Sequence, residues 1–377
     1  MNIRLFKPCV GKEELNAIKE IFNISWLGLG EKVYEFEKKW SEFIGCKDSI
    51  GVTSDTAALH LALAVFKFPK GKKVLVPAMT FASTATAVHY NDLEPVFVDC
   101  NEGTLGIDLE DLERKIDKDC VAVIPVHFGG HPVPMDQLMD IAQKYNLKVV
   151  EDCAHTQGGE YKGKKLGTWG DIGCFSFEEK KGMTTGDGGM ICSNNKELIA
   201  PLRAMRWVGI DKDTWKRKSG YTQNKSDTKH WYYEISMLGY KYNMNNLAAS
   251  IGLEQLKKLN WINEAKRKAI GIYLNGIKDI DDIKPLLPYD INTNSSYWIF
   301  GVRTKNRDDL ILHLKKHGIA TSVHYTPLPL HPFWKNHKEP IPVSLKVYER
   351  IVTLPLFPEI SRDQIEYVIK ILKQFCK

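Results

Sequence analysis

Between Cys174 and Met190 the chain reads Cys-Phe-Ser-Phe-Glu-Glu-Lys-Lys-Gly-Met-Thr-Thr-Gly-Asp-Gly-Gly-Met, and residue types in this order could do chemistry. A short apolar run stops at Ser176, and Lys180 and Lys181 follow. The turn Thr184-Thr185-Gly186-Asp187-Gly188-Gly189 then leads into a second apolar run, Met190-Ile191-Cys192. Glycines at that density let the backbone bend sharply and take positive φ. The pattern predicts strand, turn, strand, with a lysine held inside the turn. A lysine there can be desolvated until a useful fraction is free amine, the form that Schiff-base chemistry with a carbonyl compound needs. A plain hairpin with solvated lysines accounts for the stretch equally well, so partners elsewhere in the chain must decide.

Candidate partners lie at the ends of other apolar runs. Asp152 closes Lys148-Val149-Val150-Glu151-Asp152, with His155 three residues on. A carboxylate ending a buried strand needs a cation or hydrogen-bond donors. A protonated pyridine nitrogen would serve, and pyridoxal phosphate supplies one; a helix N-cap is the alternative. Ser54-Asp55-Thr56 precedes the apolar run Ala57–Phe66. Small hydroxyl residues there cap a helix, and the same place binds phosphate well. Phe81 follows a strand, where it either covers a flat ring or joins the core. In Trp26-Leu27-Gly28-Leu29-Gly30 the glycines lie between two helical patterns, as a ligand contact or a simple turn.

The elements that must position these residues alternate. Short, continuously apolar strands are predicted at Ser49–Thr53, Val74–Pro77, Pro95–Asp99, Val121–His127 and Lys148–Asp152, with helices such as Leu109–Lys115 and Met135–Tyr145 between them. Such runs imply a mostly parallel sheet covered on both faces, whose ligand side is at the strand C-terminal ends. Further on, helices are predicted from Asn246 to Leu259 and from 261 to 277, then a strand Tyr297–Val302, a helix Asp308–His317, a strand Thr321–Tyr325 and a closing helix Arg362–Phe375. Residues 211–233 are polar, aromatic-rich and aperiodic, and read as a binding loop or lid; a disordered insertion is the competing account, against which the aromatic content argues.

With 377 residues the chain is too long for one small core, so two domains are expected. A hydrophobic content of 43%, a charged content of 26% and a mild net charge of +6 are ordinary for a soluble protein. No basic tract argues for nucleic acid, and no apolar run approaches membrane-spanning length. The 8 cysteines show no CxxC spacing and read as free thiols in a reducing compartment. A cytoplasmic location is expected.

The segments together resemble, over essentially the full length, the DegT/DnrJ/EryC1/StrS aminotransferases, which aminate keto groups on nucleotide-linked sugars. The resemblance is carried in order by Trp26-Leu27-Gly28, Ser54-Asp55-Thr56-Ala57-Ala58-Leu59, Thr80-Phe81, Pro125-Val126-His127, Glu151-Asp152-Cys153-Ala154-His155 and Phe175-Ser176-Phe177 with Lys181. It continues through Thr184-Thr185-Gly186-Asp187-Gly188-Gly189, Gly239-Tyr240-Lys241-Tyr242-Asn243-Met244 and Thr353-Leu354-Pro355-Leu356-Phe357-Pro358.

The resemblance implies an α/β fold of the fold-type I class of pyridoxal 5'-phosphate (PLP) dependent transferases. A large PLP-binding domain with an N-terminal helical segment would span 1–250, and a smaller C-terminal α/β domain 251–377. It also implies a homodimer with shared active sites. Lys181, rather than Lys180, would be the Schiff-base lysine. Asp152 would hold the pyridinium nitrogen, His155 would lie near the phenolic oxygen, and Phe81 would stack on the ring. Asp55, Thr56 and Ser176 would hold the phosphate, with Lys241 and Asn243 approaching from the partner subunit. Trp26, Gly28 and His324 would contact the sugar, and glutamate would be the amino donor. Asp55 stands where the family usually carries glycine, Asp187 where it carries glutamate, and Lys241 where asparagine is common. The expected activity is amination at C3 or C4 of a nucleotide-linked keto-sugar for lipopolysaccharide or O-antigen biosynthesis. The competing readings are a fold-type I enzyme acting on a small amino acid and a catalytically silent relative.

Overall fold

The computed structural model describes residues 1–210, 233–290 and 294–376. The loop read at 211–233 therefore lies, Tyr233 apart, outside the described residues. After two amphipathic helices, α1 (Lys12–Ile24) and α2 (Glu31–Ile44), strands and helices alternate as β1 (Asp48–Val52), α3 (Asp55–Ala64), β2 (Lys73–Pro77), α4 (Ala82–His89), β3 (Glu94–Val98), α5 (Leu109–Lys115), β4 (Cys120–Val123), α6 (Met135–Lys144) and β5 (Lys148–Asp152). A two-strand ribbon, β6 (Glu160–Tyr161) and β7 (Lys164–Lys165), precedes β8 (Ile172–Ser176), β9 (Gly189–Ser193) and α7 (Lys196–Met205).

Seven strands form one sheet in the order β1-β9-β8-β5-β4-β2-β3. All neighbours run parallel except β9, which is antiparallel to both β1 and β8. Alternate side chains feed two cores, as the period of a strand requires. Leu75, Val149, Phe175 and Met190 point into the core shared with α2, α6 and the start of the next helix. Val74, Val76, Val150, Cys174 and Ile191 point into the core under α3, α4 and α7.

The two helices predicted at 246–259 and 261–277 are one 32-residue helix, α8 (Asn246–Ile277). Its Asn-Trp junction contains neither glycine nor proline, so nothing breaks the hydrogen-bond ladder. Its first half contributes Ala249, Leu253 and Leu259 to the large core. Its second half contributes Ala269, Ile270, Tyr273 and Ile277 to a separate core. Residue 250, the domain limit expected from sequence, thus lies near the start of a helix that passes from one core to the other.

The second core packs α9 (Arg307–Lys316) and α11 (Arg362–Phe375) on an antiparallel sheet of β10 (Lys284–Pro285), β11 (Phe300–Arg303) and β12 (Ile351–Leu354); the short α10 (Pro342–Tyr348) precedes β12. The strand predicted at 321–325 is absent, and Ser322 makes only an isolated bridge to Thr353. His324 and Tyr325 turn toward the large unit instead.

Two constructions fix the geometry around the sheet. Glu37 of α2 is buried and accepts from Arg206, from Nη1 of Arg203 (2.7 Å) and from the Gly51 N–H (2.8 Å), tying α2 to β1 and α7. Gly130 adopts φ +90°, and a Cβ there would lie 2.3 Å from the Ser296 carbonyl oxygen. Only glycine allows that approach, and beside it the Trp298 N–H donates to the Gly129 carbonyl (2.8 Å), holding the small unit against the large one.

Candidate active site

A cavity of about 340 Å³ opens where the strand C-termini meet the small unit. It collects Asp55, Thr56, Phe81, Asp152, His155, Ser176, Lys181 and His324, eight of the twelve residues expected from sequence. Seven come from element ends: the start of α3, the turn before α4, the end of β5 and the residues just after it, the end of β8, and the β8–β9 turn; His324 comes from the irregular segment after α9.

Lys180 and Lys181 are adjacent but differently placed. The Lys180 side chain is 57% exposed and pairs with Glu178 (3.5 Å). Lys181 is partly buried, and among the described residues no carboxylate lies within ion-pair distance of its ammonium. Its Nζ stands 4.1 Å from the centre of the Trp298 ring. Burial lowers its pKa to about 8, against the opposing pull of Glu178, Asp152 and Asp55. Near neutral pH a usable fraction is therefore free amine.

Asp152 is buried, and each of its oxygens is oriented. Oδ1 accepts from the Ala154 N–H (3.1 Å) and Oδ2 from the Thr84 hydroxyl (2.8 Å), which in turn lies 3.0 Å from the Thr80 hydroxyl. Burial raises its pKa, while these bonds and the Lys181 charge work the other way. A cation brought beside it would relieve that cost.

The start of α3 forms a cradle for an anion. Ser54 caps the helix by accepting from the Ala57 N–H (3.1 Å), and the Thr56 hydroxyl lies 2.6 Å from the Ser83 hydroxyl. Strand β9 passes so close that a Cβ on Gly189 would lie 2.7 Å from the Asp55 nitrogen. Gly188, Ser176 and Thr56 line the space in front of the helix N-terminus, where the leading N–H groups favour negative charge. Phe81, 57% exposed, stands at the cavity edge.

His155 is held on one face and one edge. Its ring stacks on that of Trp298 at 4.1 Å with planes 5° apart, and Tyr325 lies beside it, ring centres 5.9 Å apart. The Gly129 N–H donates to Nδ1 (3.4 Å), so the assigned tautomer carries its proton on Nε2, facing the Tyr325 hydroxyl (3.1 Å). Burial and the Lys181 charge hold its pKa well below the usual value, keeping the ring neutral. His324 bonds Thr353 Oγ1 through Nδ1 (2.9 Å), and burial brings its pKa down to about 4.

Four expected residues do not line this cavity within one chain. Lys241 is exposed, donates to Asn243 Oδ1 (2.6 Å) and lies over the Trp207 ring at 3.7 Å. The Trp26 indole donates to the Leu29 carbonyl (2.9 Å), and the Gly28 carbonyl accepts from the Asn246 N–H (2.9 Å). Conversely, Trp298, Tyr325, Thr84 and Ser83 line it unforeseen. The hydroxyls of Thr80-Phe81-Ala82-Ser83-Thr84 were a readable signal for Ser83 and Thr84. Trp298 lies in an apolar run that reads as core.

Behind the cavity, His127, Glu151 and Cys153 are buried within metal-ligand reach of one another. Their capacity is already used. Glu151 accepts from the N–H groups of Gly167 (2.8 Å), Trp169 (2.7 Å) and Gly170 (2.7 Å), and lies 3.3 Å from His127 Nε2. His127 Nδ1 accepts from the Val133 N–H (3.2 Å), and burial raises the Cys153 thiol's pKa. The cluster anchors the loop beyond β7 beneath Asp152.

Comparison with known proteins agrees with this geometry. Residues 8–373 match the model of the DegT/DnrJ/EryC1/StrS aminotransferase family. The spore coat polysaccharide biosynthesis protein SpsC of Bacillus subtilis is 36% identical, the match covering 98% of this chain and 96% of SpsC. The GDP-perosamine synthase of Escherichia coli O157:H7 is 30% identical, over 99% of this chain and 98% of its own. The PLP-form structure of Spr1654 from Streptococcus pneumoniae superposes with a TM-score of 0.89 at 27% identity, covering 99% and 98% of the two chains.

Proposed function

The chain belongs to the DegT/DnrJ/EryC1/StrS aminotransferase family, and from that premise we propose that it transfers an amino group from glutamate to a keto group, at C3 or C4, of a nucleotide-linked deoxy-sugar used in cell-surface polysaccharide. The observation that carries the reading is the partly buried Lys181, free of any carboxylate partner among the described residues, in one cavity with the buried Asp152 and the anion cradle of α3. The names of SpsC and GDP-perosamine synthase support a sugar destined for polysaccharide.

The residues present fit pyridoxal 5'-phosphate. Gly189 lets β9 pack directly against the start of α3, and Thr56, Ser176 and Gly188 line the space in front of it, the two hydroxyls ready for a phosphate. Asp152 offers a desolvated carboxylate to a ring nitrogen, Phe81 a face for the ring, and His155 a neutral N–H network beside the phenolic oxygen. When bound, the cofactor supplies an aldehyde carbon that takes up amines and a ring that withdraws electrons from the reacting carbon. The chain's own work is positional and acid–base. Nζ of Lys181 takes and returns the proton at the substrate carbon that bears the nitrogen. Trp298 and Tyr325 keep water from the His155 side.

In this reading Lys241 and Asn243 reach the phosphate of a partner subunit's site in a homodimer, and Trp26, Gly28 and His324 contact the sugar. The enzyme works in the cytoplasm, where its cysteines, free throughout the described residues, would stay reduced.

The test is spectroscopic. Glutamate added to the PLP-loaded protein should change the cofactor spectrum, and one member of a panel of 3-keto and 4-keto sugar nucleotides should reverse the change. A response to small amino acids with none to any sugar would place the enzyme elsewhere in the fold class. No response at all would leave a silent relative.

A further inference from the structure

Asp55, at the position where the resembling family usually carries glycine, adds a second carboxyl beside Asp152. It is the first residue of α3, yet the capping of that helix is done by Ser54, so the Asp55 side chain is left over for another task. It is 7% exposed, and its Oδ1 is buried with no hydrogen-bond partner. Asp152, 4% exposed, lines the same cavity with both oxygens satisfied. The charged and titratable surroundings are Asp152 and Cys153 from the end of β5, Cys174 from β8, and Glu178, Lys180, Lys181 and Asp187 from the β8–β9 turn. His155, His324 and Tyr325 complete the wall, and α4 presents only hydroxyls.

We propose that Asp55 and Asp152 form a carboxyl pair holding one proton, carried by Asp55, so that Asp55 is a positioning residue that leaves Asp152 as the pair's single anion. This rests on the assignment of Asp152 to the ring nitrogen. Two buried carboxylates beside one ammonium cannot both stay charged cheaply. Asp152, with two donors already in place, is the better anion. Asp55, with an unpartnered oxygen, is the better acid. Burial first, and then the Asp152 charge, raise the Asp55 pKa well above the ordinary range, against the pull of Lys181. As an acid beside the cradle, Asp55 also presents a donor to an anion that a carboxylate would repel.

The test uses the full-length chain stripped of cofactor, melted across pH 5 to 8.5 as wild type, Asp55→Asn, Asp152→Asn and the double variant. A carboxyl whose folded pKa is raised binds its proton more tightly when folded, so its contribution to stability is lost as pH rises toward that value. The Tm of Asp55→Asn minus that of wild type should therefore grow with pH, by about 2 °C or more over the range. In the Asp152→Asn background the growth should shrink, because only the part that burial causes is left. A pH-independent offset, or the same growth without Asp152, overturns the pair. Asp55→Gly serves in the same way if the asparagine variant does not fold. Because no cofactor is present, this outcome is independent of which lysine carries it.

Discussion

The ammonium of Lys181 stands 4.1 Å from the centre of the Trp298 indole, whose N–H donates to the carbonyl of the neighbouring Lys180 (2.7 Å). One side chain of the small unit thus both covers the lysine and fixes the turn that bears it. The His155 ring also stacks on this indole, so the lysine, the indole and the imidazole form one packed unit.

Replacing Trp298 by alanine should admit water to Lys181. Burial is the main cause of its lowered pKa, outweighing any cation–π stabilisation by the indole, so the pKa should rise from about 8 toward its ordinary value. Labelling of Lys181 by an amine-reactive reagent, followed by mass spectrometry against pH in the cofactor-free protein, should show its midpoint move up by about one unit. Trp298→Phe, which keeps a ring but loses the bond to Lys180, should move it less. An unchanged midpoint in both would remove the indole from the account.

Thr84→Val deletes the hydroxyl that holds Asp152 Oδ2 (2.8 Å) and leaves a buried carboxylate oxygen without a donor. Losing a hydrogen bond to a charged group costs about 1.5 kcal/mol, so affinity for pyridoxal 5'-phosphate should fall about tenfold. A fluorescence titration measures it, and unchanged affinity would mean that Thr84 does not orient Asp152.

Glu37→Ala removes the carboxylate shared by Arg203 and the fully buried Arg206. Leaving a buried guanidinium unpaired should cost about 3–5 kcal/mol in urea unfolding at pH 7. Burial pushes the Glu37 pKa up, but Arg206 and Arg203 outweigh it and hold it below the usual value. Its stabilisation is therefore present above the unfolded glutamate pKa and is lost as pH falls through the folded one. The gap between wild type and Glu37→Gln should narrow below about pH 4.

Gly130→Ala should lower both stability and cofactor affinity. Its positive φ and the 2.3 Å approach to the Ser296 carbonyl leave no room for a Cβ. The clash would push the 296–298 segment, and with it Trp298, away from His155. A Tm drop with unaltered cofactor affinity would show that this contact supports the fold alone.

How much of this was readable follows the physics of each signal. The parallel sheet was legible because apolar runs such as Lys148–Asp152 and Ile172–Ser176 need both faces covered. The antiparallel β8–β9 pair followed from the glycine turn between them. That Asp152 and Ser176 would line a cavity was legible because a polar residue closing an apolar run must find a partner. Trp298 and Tyr325 were not, since their role depends on how the small unit docks, a long-range contact made through Gly129 and Gly130. The segment 321–325 has strand-like composition but spends its side chains on the cavity, so tertiary contacts override its propensity. The continuous α8 was hidden by a polar stretch in the middle of its pattern.

The central claim is that Lys181 is the residue that carries the cofactor. Borohydride reduction of the PLP-loaded protein, followed by peptide mapping, tests it directly. The account predicts the cofactor mass on Lys181 and none on Lys180, with Lys181→Ala left unlabelled. Label on the exposed Lys180, on the buried Lys266, or on no lysine would contradict it.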